Sequence, residues 1–282
     1  MNPIYNVWPP GHYYSPIPNL EELKKNENKI FNSADPLKGI ELNLKNQTAL
    51  FNEFKEYYPD LPWHDNKNNN KRYYYLNDFY SYGDAIILYS MIRHLKPKNI
   101  IEVGSGFSSA LIIDTNETFF NNSISCTFIE PYPERFLSLI KEKDLENVTL
   151  IQENLEEIDL NIFSKLSAGD ILFIDSSHIS KVNSDVNFII FKLLPSLNPG
   201  VHIHFHDIFY PFEYPKEWIY KGIFWNEAYI LRAFLQFNNT FRIEYFSSYF
   251  HKQFHSLIMK DMPLITKNIG GSIWITKTCT SE

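Results

Sequence analysis

Asn99-Ile-Ile-Glu102-Val-Gly104-Ser105-Gly106-Phe-Ser108-Ser109 decides how this chain is read. A short apolar run ends in an acid, passes through a Gly-x-Gly turn and meets serines. That order spells a buried strand, a tight loop and the first turn of a helix. A ligand can press against backbone there, because the glycines carry no β-carbon. The unpaired N–H groups at the helix start favour an anionic group such as a carboxylate or phosphate. Many nucleotide-binding folds share this motif, so its meaning rests on the rest of the chain.

Around it the pattern alternates. Tyr82–Leu95 reads as a helix with a broad apolar stripe, stopped before Pro97. Asn99–Val103 is the first strand and Ser108–Thr115 the next helix. Ser125–Ile129 is a second strand, and Pro133–Lys141 suits a helix with proline in its first turn. Val148–Ile151, Asp170–Ile174 and Val201–Phe205 continue the strands, with Ser184–Leu197 as a helix between the last two. Ile223–Phe237 is helical, and Phe241–Phe246 and Ser272–Thr276 form a closing antiparallel pair. Strand and helix in repeated alternation predict an α/β, doubly wound, Rossmann-like sheet covered on both faces. In such sheets ligands bind at the carboxyl ends of the strands.

Four strands end there in acids or an acid with histidine: Glu102, Glu130, Asp175 and His206-Asp207. Carboxylates are poor strand residues and costly inside an apolar sheet, so a shared edge predicts one polar cleft. Glu130 lies 24 residues past Gly106. A carboxylate at that place accepts both hydroxyls of a ribose, which serves NAD and S-adenosylmethionine alike. Ser109 stands where a dinucleotide fingerprint wants its third glycine, and with the closing strand pair it counts against an NAD(P)-dependent oxidoreductase. That enzyme, and a cofactor-binding protein that has lost turnover, stay as alternatives.

The flanks bound the rest. Residues 1–80 read as an N-terminal arm or cap on a domain spanning residues 81–282. Pro3, Pro9, Pro10, Pro16 and Pro18 favour an extended start, and Leu20–Phe31 and Thr48–Tyr58 are helical. The net charge is −7 with no long basic run, which argues against nucleic acid and anionic membranes as partners. No apolar stretch approaches the ~20 residues of a membrane span, and the first residues lack a secretory pattern. Two cysteines, Cys126 and Cys279, make no disulfide framework. A reduced cytoplasmic setting is expected, with oligomeric state left open.

Glu102-x-Gly104-x-Gly106, Glu130-Pro131, Ile174-Asp175-x-x-His178 and Pro199-Gly200…Asp207 together resemble class I S-adenosylmethionine-dependent methyltransferases. The resemblance covers roughly residues 80–282. It implies a seven-stranded sheet with the last strand antiparallel. It places Gly104, Ser105, Gly106 and the following Ser108 along the methionine half of the cofactor, and Glu130 at its ribose. Glu102 would anchor the glycine loop or approach the ligand's ammonium. Asn154 would contact adenine, and Tyr82 and Asp84 would reach the amino-acid end. The narrower likeness is to sugar and natural-product O-methyltransferases, in which a divalent metal binds acids after the fourth and fifth strands and a histidine acts as base. It implies His178 as base, oriented by Asp175 or Asp207, and a small-molecule or saccharide acceptor. This chain departs in having His206-Asp207 where that group has two acids, which moves metal preference toward softer ions.

The strand histidines alternate, so His202, His204 and His206 share one face. Only His206 sits at the ligand edge; His202 and His204 read as packing histidines with satisfied rings. The aromatic segment Phe209–Trp218, followed by Trp225-Asn226-Glu227, would overhang an acceptor or pack on the arm. The arm's run from Tyr73 to Tyr80 would complete that pocket.

Overall fold

The computed structural model describes residues 7–31 and 37–278. Pro3 and Cys279 therefore lie outside the described residues. Seven strands form one sheet: β1 Asn99–Val103, β2 Ser125–Ile129, β3 Val148–Ile151, β4 Ile171–Ile174, β5 His202–His206, β6 Phe241–Phe246 and β7 Ser272–Lys277. Their order is β3-β2-β1-β4-β5-β7-β6. The first five pair in parallel, and β7 runs antiparallel to both β5 and β6. This is the expected Rossmann-like sheet.

The strand order decides where a ligand goes. From β1 the chain winds out through β2 to β3, then returns to pair β4 with the other side of β1. Connections thus leave β1 and β4 toward opposite faces, which opens a crevice at their carboxyl ends. Alternate residues of each strand bury against one helical layer or the other. Ile101, Leu172 and Ile203 meet Val186, Ile189 and Leu231 on one face. Ile100, Phe128 and Phe173 meet Ile86, Leu111 and Phe54 on the other. With these strands buried on both faces, a polar side chain at a strand end has little room except the crevice.

The N-terminal segment contributes to the second core. Phe51 and Phe54 of helix Leu44–Tyr57 are fully buried there, with Trp63, Tyr73 and Tyr75. Arg72 ties this segment to helix Phe107–Phe120 and to the 3-10 turn Glu142–Glu146. It reaches Asp114 at 2.8 Å, Glu117 at 2.7 Å and Asp144 at 2.5 Å from a position almost without solvent.

Several helices differ from the sequence expectation. Leu20–Phe31 is two short helices, Leu20–Lys25 and Glu27–Phe31, because Asn26 closes the first with its own N–H. Ser184–Leu197 begins as helix Asp185–Phe188, widens into a π turn over Ile189–Leu193 and ends at Leu194–Ser196. Ile223–Phe237 shrinks to Glu227–Leu235, while Lys216–Tyr220 forms a helix inside the aromatic segment. Between β6 and β7 the chain adds Ser247–Asp261, where the sequence reading placed no helix. Non-helical backbone at Phe254 interrupts it, so its apolar residues never run in one long register. Among the described residues no helix is long and apolar enough to cross a membrane.

Candidate active site

The glycine turn is built as its residues require. Gly104 has φ +82°, and a Cβ there would sit 1.9 Å from the Asp175 carbonyl oxygen. No side chain fits, and backbone of β1 therefore packs directly on the end of β4. Gly106 donates its N–H to Ser109 Oγ at 2.9 Å, and the Ser109 hydroxyl in turn donates to Glu102. Ser108 is buried beside them. Glu102 is fully buried, and burial pushes its carboxyl up to about 8 despite the two serine hydroxyls. One Glu102 oxygen thus holds the glycine turn through Ser109, while the other, Oε1, is buried without a hydrogen-bond partner.

Glu130 holds the other side of the turn. Its two oxygens accept the Ser105 N–H at 3.0 Å and the Tyr132 N–H at 2.9 Å. Those bonds fix the carboxylate while leaving lone pairs for a diol. A cavity of about 480 Å³ opens beside it, lined by Gly104, Glu130, Asn154, Asp175, Ser176 and Lys181 among others. Asn154, three residues past the end of β3, thus shares a wall with Glu130. The Ser105 hydroxyl is buried and has no hydrogen-bond partner. A glycine cradle, a diol acceptor and an unpartnered donor fit an adenosyl ligand that carries an amino-acid tail.

A second group of side chains stands at the ends of β4 and β5. His178 Nε2 lies 3.2 Å from Asp175 Oδ1 and 3.7 Å from Asp207 Oδ2. Asp175, His178 and Asp207 present ligand atoms within 4.8 Å of one another. Both His178 and Asp207 have positive φ, 59° and 55°. Such backbone is costly for side-chain-bearing residues and persists where surrounding structure demands it. Burial works against charge on His178, but its bonds to Asp175 and Glu227 raise its pKa well above the ordinary histidine value. Asp175 is driven up by burial, yet His206, His178 and Arg135 hold it below the usual carboxylate range.

The partner of His178 Nδ1 is a residue without an assigned role in the sequence reading. Glu227 Oε2 sits 2.8 Å away, and Ser176 Oγ donates to the other Glu227 oxygen at 2.9 Å. Glu227 opens its helix, and the N–H groups of Asn226 and Glu227 both donate to the His178 carbonyl. Main chain and side chain therefore lock the two segments together. Orientation of His178 through Nδ1 thus comes from Glu227, whereas Asp175 and Asp207 face Nε2. Only the adjacency of Glu227 to the aromatic segment signals it in the sequence.

His206 lies behind this group. Its Nε2 is 3.5 Å from Asp207 Oδ1, and its Nδ1 is 4.0 Å from Asp84 Oδ1. Burial disfavours charge on His206, but Asp207, Asp175 and Asp84 outweigh it and raise its pKa. Burial pushes Asp84 up to about 6, with His206 pulling the other way. Asp84 also accepts the Gly271 N–H at 3.0 Å, so it joins β7 to the histidine side of the site. Tyr82 is not brought to the cavity. It is buried in the second core, where its ring stacks on Tyr75 at 4.7 Å and its hydroxyl meets Lys267 at 3.2 Å.

His202 is satisfied by Thr276 Oγ1 at 2.9 Å. His204 departs from expectation: it is fully buried, stacks on Phe173 at 4.1 Å, and neither ring nitrogen has a hydrogen-bond partner. Burial, then the charge of His206, drives its pKa well down. Tyr73, Tyr75 and Tyr80 all belong to the second core, and Tyr80 also lies 5.1 Å from the His206 ring. The aromatic segment does two things at once. Trp225 lies 4.3 Å from the His178 ring and 5.4 Å from Trp218, while Lys216 pairs with Glu27 at 2.8 Å and Tyr220 packs on Phe31.

A family profile described as a methyltransferase domain matches residues 101–208, the span from β1 to just past Asp207. An uncharacterized protein from Archaeoglobus fulgidus is 36% identical over 172 residues, which cover 58% of this chain and 75% of that protein. Among solved structures, the O-methyltransferase TomG from Streptomyces achromogenes, in complex with SAM, aligns over 85% of this chain and 92% of its own at 12% identity, with a TM-score of 0.44. The SAH-bound Podospora anserina methyltransferase PaMTH1 covers 93% of this chain and 96% of its own at 13% identity, with a TM-score of 0.43.

Proposed function

This chain belongs to the class I S-adenosylmethionine-dependent methyltransferases, and we propose that it methylates a hydroxyl oxygen on a small molecule or saccharide. The observation that carries the reading is His178. It is a buried imidazole held by Glu227 at Nδ1, with Nε2 turned to Asp175 and Asp207 at the edge of the glycine cradle.

The bound donor supplies an activated methyl on sulfonium, so the protein's tasks are positioning and proton removal. Glu102, through Ser109, fixes the glycine turn that receives the methionine half, and Glu130 takes the ribose hydroxyls. Asn154 offers polar atoms to adenine, and Ser105 and Ser108 finish the turn. Asp84 closes the floor through Gly271 and faces His206. In its neutral form His178 donates Nδ1–H to Glu227, which leaves the Nε2 lone pair for the proton of an acceptor hydroxyl. Asp175 and Asp207 then stabilise the imidazolium. Trp225 and Trp218 shield that face from water and give a sugar or flat ring something to lie on.

Asp175, His178 and Asp207 also fit a divalent cation, two carboxylates and an imidazole with ligand atoms within 4.8 Å. Bound there, such an ion would act as a Lewis acid on an acceptor oxygen. The test combines two measurements. Calorimetry with S-adenosylmethionine, its demethylated product and NAD should show binding of the first two only. Turnover across hydroxylated acceptors, with and without chelator, then separates the imidazole base from the cation. Binding of NAD alone would contradict the reading.

A further inference from the structure

The glycine turn is flanked by the carboxylates of Glu130 and Asp175. That charge suits the ammonium and sulfonium of the donor but opposes its α-carboxylate. Arg135 is the cation set against the turn. Its Cδ would lie 3.3 Å from a Cβ on Gly106, the residue that precedes helix Phe107–Phe120. Its charge also reaches Asp175, among the groups that hold that carboxyl down against burial.

The guanidinium is held in place from the N-terminal segment. Its central carbon sits 3.7 Å from the centroid of the Phe79 ring. Phe79 in turn stacks on Phe107 at 6.1 Å with 17° between the planes. A stacked guanidinium keeps its in-plane N–H fork available, and that fork matches the geometry of a carboxylate. Among the described residues no hydrogen bond or ion pair uses those N–H groups.

We propose that Arg135 recognises the α-carboxylate at the methionine end of the methyl donor, with Phe79 holding it over the glycine turn. The inference rests on the donor assignment above and adds the residue that tells a full amino-acid tail from a truncated one. Lys181, the cation that lines the cavity from the loop after β4, serves as the comparison.

The experiment is calorimetric titration of the intact protein with S-adenosylmethionine and with decarboxylated S-adenosylmethionine. Wild type should prefer the carboxylated ligand about tenfold or more, as a charge-assisted pair gives. Arg135→Ala should abolish that preference by weakening only the carboxylated ligand. The decarboxylated ligand then reports that the fold is intact. Phe79→Ala, which keeps the charge but frees it, should fall between, and Lys181→Ala should keep the preference. An Arg135→Ala variant that retains the preference, or weakens both ligands equally, would overturn the inference. Wild type binding neither ligand would instead remove the donor assignment, and the inference with it.

Discussion

Glu227 Oε2 stands 2.8 Å from Nδ1 of His178, although 49 residues separate them in the chain. The pair is buried, and Ser176 closes the second carboxylate oxygen. Replacing Glu227 by Gln keeps an acceptor for Nδ1–H but removes an anion that raises the His178 pKa. Turnover should fall about 10–100-fold with donor affinity unchanged. The base must be neutral to act, so wild-type kcat/KM should rise with pH above the ordinary histidine range. In Glu227→Gln the rise should begin at lower pH, which a pH–rate profile measures.

Glu102 gives a prediction about stability rather than rate. Its folded pKa is pushed up to about 8 from 4.5, chiefly by burial. Between those values the folded state holds a proton that the unfolded state has released, so stability falls as pH rises through this window. Below it both states are protonated, and above it the loss is complete. Glu102→Gln should therefore flatten the curve from pH 4.5 to 8 and raise Tm at pH 8 by several degrees. Thermal melts across that range provide the check.

Gly104→Ala should be severe. The added Cβ would overlap the Asp175 carbonyl at 1.9 Å, with φ at +82°. Strain of about 1–3 kcal/mol comes from backbone alone, and the clash pushes β4 away from the turn. Donor affinity should fall at least tenfold with a lower Tm, read in one thermal-shift titration.

The arm clamp can be tested apart from the chemistry. Arg72→Met leaves Asp114 and Asp144 buried without their cation. Breaking a buried ion pair this way costs about 3–5 kcal/mol, so Tm should drop on the order of 10 °C. A drop of only a degree or two would show that solvent already shares that network.

The sheet was legible because its signals are local. Each strand is a short apolar run with a sharp polar end, and the span from Asn99 to Ser109 gives strand, turn and helix start in one reading. The grouping of Asp175, His178 and Asp207 followed from that register, since parallel strands carry their ends to one edge. Glu227 was not legible, because it reaches His178 by folding back from a helix beyond the aromatic segment. Helix Ser247–Asp261 was missed because the break at Phe254 divides its apolar pattern. His204 was misread as satisfied, since alternation predicts which way a ring points and says nothing about what it meets.

The role of His178 as the base is read from methyl transfer from labelled S-adenosylmethionine to a panel of hydroxylated acceptors, with wild type and His178→Ala side by side. His178→Ala should bind the demethylated donor with wild-type affinity yet transfer methyl about 10²–10⁴-fold more slowly. Transfer at the wild-type rate by His178→Ala would contradict that role.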